Sequence, residues 1–168
     1  MMYIEREDDA VILRDVPAWV VDTLLCLPEW IESDNPAVRE RLLPKAYVDE
    51  EEDREWRDAL GSSLEHLFAS RTQIVSKDLK NLTISAGSTP EGEETIAAQT
   101  LFDVRIPGPH VSAWVSTLQA GTHALFILEG LTAEDVSREV APNEDPEKQV
   151  SMLRLAILQE ILVHLLGE

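Results

Sequence analysis

Four histidines, one cysteine and an unbroken acidic run are the residues of this chain whose types could carry chemistry. Glu160 and His164 stand one helical turn apart, the separation at which two ligands of a metal ion share a helix face. Neither the His-Glu-x-x-His motif nor the paired Glu-x-x-His of di-iron bundles surrounds them, so a polar pair at the edge of a core is the reading. The run Asp49-Glu50-Glu51-Glu52-Asp53 sets five carboxylates side by side. Consecutive helical positions point about 100° apart, so the five cannot converge on one cation, and the Asp-x-Asp-x-Asp-Gly pattern of a calcium loop is missing. The spacing instead predicts a helix start, with Asp49 as N-cap and Glu52 three positions on as in a capping box. Acids in a first turn gain roughly 0.3–1 kcal/mol each from the macrodipole.

Nucleophile and phosphate-binding motifs are missing too. There is no Gly-x-Ser-x-Gly, and the scattered glycines form neither a P-loop nor Gly-x-Gly-x-x-Gly. Cys26, the only cysteine, lies among Leu24, Leu25 and Leu27 with no electropositive sequence neighbour, so the expectation is a buried small hydrophobe. No catalytic residue, metal or cofactor is assigned, and the sequence leans away from an enzyme. A site could still be assembled by the fold, and the polar residues placed to form one are His110, Gln119 and His123, facing a pocket between helix and sheet.

The elements that would position these residues are mostly helical. Asp15 and Pro17 are placed to begin a helix with Trp19, Val20, Leu24 and Ile31 inward, bent or ended by Pro28. A short helix spans Pro36 to Leu43 and stops at Pro44. From Trp56 through Leu60, Leu64, Leu67, Phe68, Ile74, Val75, Leu79 and Leu82 the apolar residues recur at three and four positions, as in one long amphipathic helix or two in series. Pro109 opens a helix with Trp114 and Leu118 inward, and Thr132 to Asp135 has capping-box spacing. Asp145-Pro146 opens the last helix, with Val150, Leu153, Ile157, Ile161 and Leu165 on its core stripe. Strand signals are fewer. Val11-Ile12-Leu13 and a hairpin turn at Glu7-Asp8-Asp9 mark the N-terminus, while Phe102, Val104 and Ile106 alternate with Asp103 and Arg105. The fold class is α+β, mainly α: a helical bundle with a small antiparallel sheet from the N-terminal and central strands. Residues 1–168 form one domain, with a flexible loop at about 85–94.

Composition limits the partners. With 32 Asp and Glu against 14 Lys and Arg, the formal charge of −18 opposes nucleic acid and anionic membrane surfaces. No apolar run approaches the roughly 20 residues of a membrane span, and the charged start "MMYIEREDD" lacks a signal peptide's apolar stretch. The expectation is a cytoplasmic protein. The last helix also carries Met152, Leu155, Leu158, Leu162, Val163 and Leu166, so it is apolar nearly all round, as a helix buried centrally or in a homodimer would be.

Three segments, "RLLPKAYVD" followed by "EWR", "HVSAWVSTLQAGTHALFILEGLT" and "LRLAILQEILVHLL", resemble a bacterial domain family of unknown function, DUF2017. The likeness runs in order along most of the chain. Lys45 stands where the family tends to have an acid, and Gln119, Ala120 and Thr122 replace polar residues of its second segment. The resemblance implies a bacterial, cytoplasmic, mainly helical protein, and supplies no catalytic residues. In some actinobacteria family members are encoded near the adaptor of the Clp protease, a contextual pointer to a protein partner. The functional expectation is a non-enzymatic interaction or regulatory protein whose acidic surface, Glu50, Glu51, Glu52, Asp53 and Glu55, meets a basic patch on another protein. The alternative is a small-molecule-binding protein or enzyme using the His110, Gln119 and His123 pocket.

Overall fold

The computed structural model describes residues 2–43, 48–86, 100–137 and 145–167. Its strands are β1 (Tyr3–Arg6), β2 (Ala10–Pro17), β3 (Thr83–Ile84) and β4 (Leu101–Pro107). Its α-helices are α1 (Ala18–Leu25), α2 (Leu27–Ile31), α3 (Pro36–Leu42), α4 (Glu50–Lys80), α5 (Val111–Leu128), α6 (Ala133–Ser137) and α7 (Pro146–Leu165), with a 3₁₀ turn at Gly108–His110 leading into α5. The architecture is α+β and mainly α, with an antiparallel sheet in the order β1-β2-β4-β3.

The predicted hairpin joins β1 to β2, and β2 also pairs with β4 about ninety residues away, which places it inside the sheet. Ala10 to Leu13 are all buried rather than alternating, so both faces of β2 are covered along this stretch. Between Leu13 and Val16 the register slips, so one extra residue of β2 is accommodated as a bulge. Asp15 sits there at φ 55°, a conformation that Asp tolerates better than most residues. Its amide donates to Asp103 Oδ1 at 3.2 Å, and its carboxylate accepts from the Ser85 hydroxyl. Arg14 closes the bulge with ion pairs to Glu5 at 2.7 Å and Asp103 at 2.9 Å. Asp15 therefore belongs to the sheet and does not start α1, whose N-cap is Pro17. The periodicity that runs to Leu82 overshoots the helix: α4 stops at Lys80, and directly after Leu82 the chain enters the sheet as β3.

Helix α5 is the hub, packing against α2, α3, α4 and α7. Its Trp114, Leu118, Ala124 and Leu125 are fully enclosed, and burying each large apolar side chain contributes about 1.5–3 kcal/mol. Gly121 lets α2 approach: a β-carbon there would stand 2.3 Å from Leu27 Cδ2, and Leu27 is itself fully buried. Three other caps fall where the sequence puts them. Asp49 accepts from the amides of Glu51 and Glu52, Asp145 from those of Glu147 and Lys148, and Thr132 and Asp135 bond reciprocally at the head of α6. Arg6 donates to the His164 carbonyl at the other end of α7, a cationic side chain at the negative end of the helix.

Two inward faces differ from the expectation. Trp19 is 46% exposed, while Val20, Leu24 and Ile31 are buried as read. On α7 the stripe is rotated: Ser151, Leu155, Leu158, Ile161 and Leu165 face the core, Leu153 is 60% exposed, Val150 is also exposed, and Ile157 is only half-buried. Because α7 is apolar nearly all round, periodicity could not fix its phase; the packing against α5 and α1 does. Pro44 lies outside the described residues, and so does the loop expected at 85–94 from residue 87 onward.

Candidate functional site

Helix α5 presents two polar stations, one at each end. At its N-terminus His110 and Trp114 lie one turn apart, so their ring N–H groups point the same way. Both meet Asp78, near the C-terminus of α4. His110 Nδ1 lies 3.0 and 2.9 Å from the two carboxylate oxygens, and Trp114 Nε1 donates to Oδ2 at 2.9 Å. Asp78 is 6% exposed and Trp114 is fully buried. A carboxylate in the last turns of a helix faces the negative end of the macrodipole, so it needs these donors. A carboxylate holding an imidazole is also the orienting half of a base–nucleophile arrangement. The His110 ring, however, bonds to Asp78 and to no other described residue, and the result is a pin between α4 and α5.

The second station lies where α3, α5, α6 and α7 meet around a cavity of about 600 Å³. Its wall is apolar, from Phe126, Ile127, Ala133 and Leu155, and its polar groups are Arg41, Thr122, His123 and Gln159. Arg41, in the last turn of α3, brings Nη2 to 3.5 Å from His123 Nδ1, at the outer edge of hydrogen bonding. A guanidinium only donates, so this contact favours the neutral tautomer with its proton on Nε2. Though His123 is exposed overall, loss of water from its ring, followed by the charge of Arg41, lowers its pKa below the ordinary histidine value. Thr122 Oγ1 returns its proton to the Leu118 carbonyl at 2.6 Å.

The residues expected to share a pocket are therefore divided. His110 is committed to Asp78, Gln119 is exposed, and of the three only His123 lines this cavity, which lies between helices rather than between helix and sheet. Sequence reasoning missed Asp78, although it sits three positions after Val75 on the apolar stripe of α4, where a carboxylate must be buried. It also missed Arg41.

Of the acidic surface expected at the head of α4, Glu50, Glu51, Glu52 and Glu55 are exposed, but Asp53 is not part of it: it is buried and pairs with Arg57 Nε at 3.0 Å. Asp53 and Arg57 are one turn apart, so the inner side of the first turns takes one acid of the run. Cys26 is free and half-buried against the core. Burial pushes its thiol upward and Glu29 and Asp22 add to this; Arg154 is an electropositive neighbour invisible in the sequence, and its opposing effect is smaller than that of burial. Glu160 and His164 are both exposed, and among the described residues no group of three or more His, Cys, Asp or Glu could hold a metal ion. Among those residues no helix is long and apolar enough to cross a membrane.

The arrangement defines a class: a mainly helical α+β protein with a small antiparallel sheet, a central α5 pinned by a buried carboxylate, and a polar-rimmed cavity between helices. The chain belongs to the family described as "Domain of unknown function (DUF2017)", which it matches over residues 5–166. No curated protein and no solved structure matches it.

Proposed function

We propose that the chain works in the cytoplasm as a one-domain, non-enzymatic interaction protein. In this reading the acidic N-terminal part of α4 meets a protein partner that is basic and partly apolar. The observation that carries the reading is how unevenly α4 is held. Thr72, Val75, Asp78 and Leu79 are buried, whereas none of residues 54–71 is. Along that stretch Glu55 and Asp58 are exposed beside the three glutamates of the first turn, and Leu60 and Leu67 are 47% and 42% exposed. Carboxylates that steer a basic partner and leucines that then lose water are the two components of a protein-binding helix face. The formal charge of −18 favours a basic partner over nucleic acid or an anionic membrane.

The test is affinity capture from the native cytoplasm at low and high salt, with wild type and a variant carrying Glu51→Gln, Glu52→Gln and Glu55→Gln. A specific protein retained at low salt, released by high salt and lost from the variant supports the reading. Retention indifferent to both changes, or no retained protein at all, overturns it.

Homodimerisation through α7 is a second reading, favoured by Val150, Leu153 and Val163, exposed on that helix, and by Leu166, exposed just past its end. Light scattering at micromolar concentration that finds only monomer would dispose of it.

A further inference from the structure

We propose that the cavity between α3, α5, α6 and α7 is a binding site for a small monocarboxylate with an apolar body, its carboxylate held by Arg41 and His123 and its body lying against Phe126, Ile127 and Leu155. The first argument is charge. Arg14, Arg39, Arg57 and Arg105 each meet a carboxylate, whereas Arg41 meets none among the described residues; Arg6, Arg54, Arg71 and Arg154 share that lack, but of the five only Arg41 lines the cavity. Among the described residues its side chain makes only the long approach to His123, which leaves most of its five donors without an acceptor there. The second argument is donor geometry. His123 Nδ1 is the ring nitrogen beside the guanidinium, 3.5 Å from Arg41 Nη2, so when a ligand carboxylate enters and the ring takes the tautomer with its proton on Nδ1, that N–H is a second donor next to the guanidinium. Two adjacent donors, one cationic, suit the two oxygens of a carboxylate.

Size and lining complete the case. About 600 Å³ falls within the range of small-molecule pockets, and such pockets combine a mostly apolar wall with a few convergent polar groups. Gln159 adds an amide on the α7 side. The net negative charge of the protein repels anions at a distance, so a bare anion gains little; burial of the apolar body must supply the rest. That requirement selects an acyl or aryl monocarboxylate over acetate or phosphate.

Isothermal titration calorimetry on the full chain tests the assignment with octanoate, hexanoate, acetate and the uncharged octanamide. Octanoate should bind more tightly than octanamide, acetate should give no measurable binding, and each added methylene should tighten the series by roughly threefold to fourfold. Arg41→Gln should weaken octanoate at least about tenfold, the scale of a lost charge-assisted hydrogen bond, and leave octanamide unchanged. Arg41 is exposed, so the fold should survive its replacement, which circular dichroism verifies; Arg105→Gln, on the sheet, is the control and should change nothing. Chemical-shift changes of the His123 ring on adding octanoate place the ligand. Absence of octanoate binding, equal affinity for octanoate and octanamide, or indifference to Arg41→Gln would each overturn the proposal.

Discussion

His110 and His123 stand on or just before the same helix with opposite neighbours, and the contrast separates a structural polar cluster from one with capacity left over. Around His110 two ring donors converge on one buried carboxylate. Around His123 the neighbour is itself a donor, so no acceptor closes the group, and the side chains face a cavity rather than another helix. Histidine beside a charge thus has no fixed meaning; the sign of the charge and what occupies the remaining hydrogen-bonding positions decide it. The comparison predicts that damage at the His110 end is read in stability and damage at the His123 end in binding and titration.

The largest effect belongs to the closed end. Trp114 is fully buried and shares Asp78 with His110, so Trp114→Ala should cost about 3–5 kcal/mol in urea unfolding. A loss below about 1 kcal/mol, the scale of an ordinary exposed substitution, would mean that the pin is not where α4 and α5 are held.

The open end depends on the phase of α7, whose Leu155 and Gln159 line the cavity. Leu158→Ala should cost about 2–5 kcal/mol and Leu153→Ala within about 0.5 kcal/mol, because the first is fully enclosed and the second is 60% exposed. The reverse ranking would restore the stripe expected from sequence and remove the cavity wall. This is also where legibility in the sequence ended. Three helix starts were readable because their caps are local: Asp49, Thr132 and Asp145 each act within three residues of their own position, whereas Asp15, read the same way, belongs to the sheet. The alternation of β4 and the hairpin of β1 and β2 were readable for the same reason. The facing of α7 was not, since Leu153 and Leu158 are equally apolar and only the partner helices choose between them. Strand β3 was hidden because two residues carry no period. Arg41 and His123 are 82 positions apart, so no local pattern announces their meeting.

Asp78 sharpens the contrast further. Asp78→Ala should cost about 2–3 kcal/mol, mainly by leaving the Trp114 indole N–H buried without an acceptor. Trp114→Phe removes that donor, so in the background of Trp114→Phe the penalty for Asp78→Ala should shrink, with a coupling between about 0.5 and 3 kcal/mol in a double-mutant cycle. Additive losses would show that the two residues act separately and that the closed end is not one unit.

The smallest effect is a titration at the open end. Desolvation of the His123 ring, first, and the charge of Arg41, second, lower its pKa, so the fold disfavours its charged form. Above the ordinary histidine value the ring is neutral in folded and unfolded chains and contributes nothing to pH dependence. As pH falls below that value the unfolded chain takes up the proton first, and stability declines until the lower folded pKa has been passed. Nitrogen-resolved NMR should find His123 titrating below the ordinary histidine value. In the Arg41→Gln variant the value should rise only part of the way back, since burial is the larger cause and outlasts the substitution. Full recovery would make the charge of Arg41 the dominant influence and the ring essentially solvated. A wild-type value at or above the ordinary one would place an acceptor beside His123 and erase the difference between the two ends of α5.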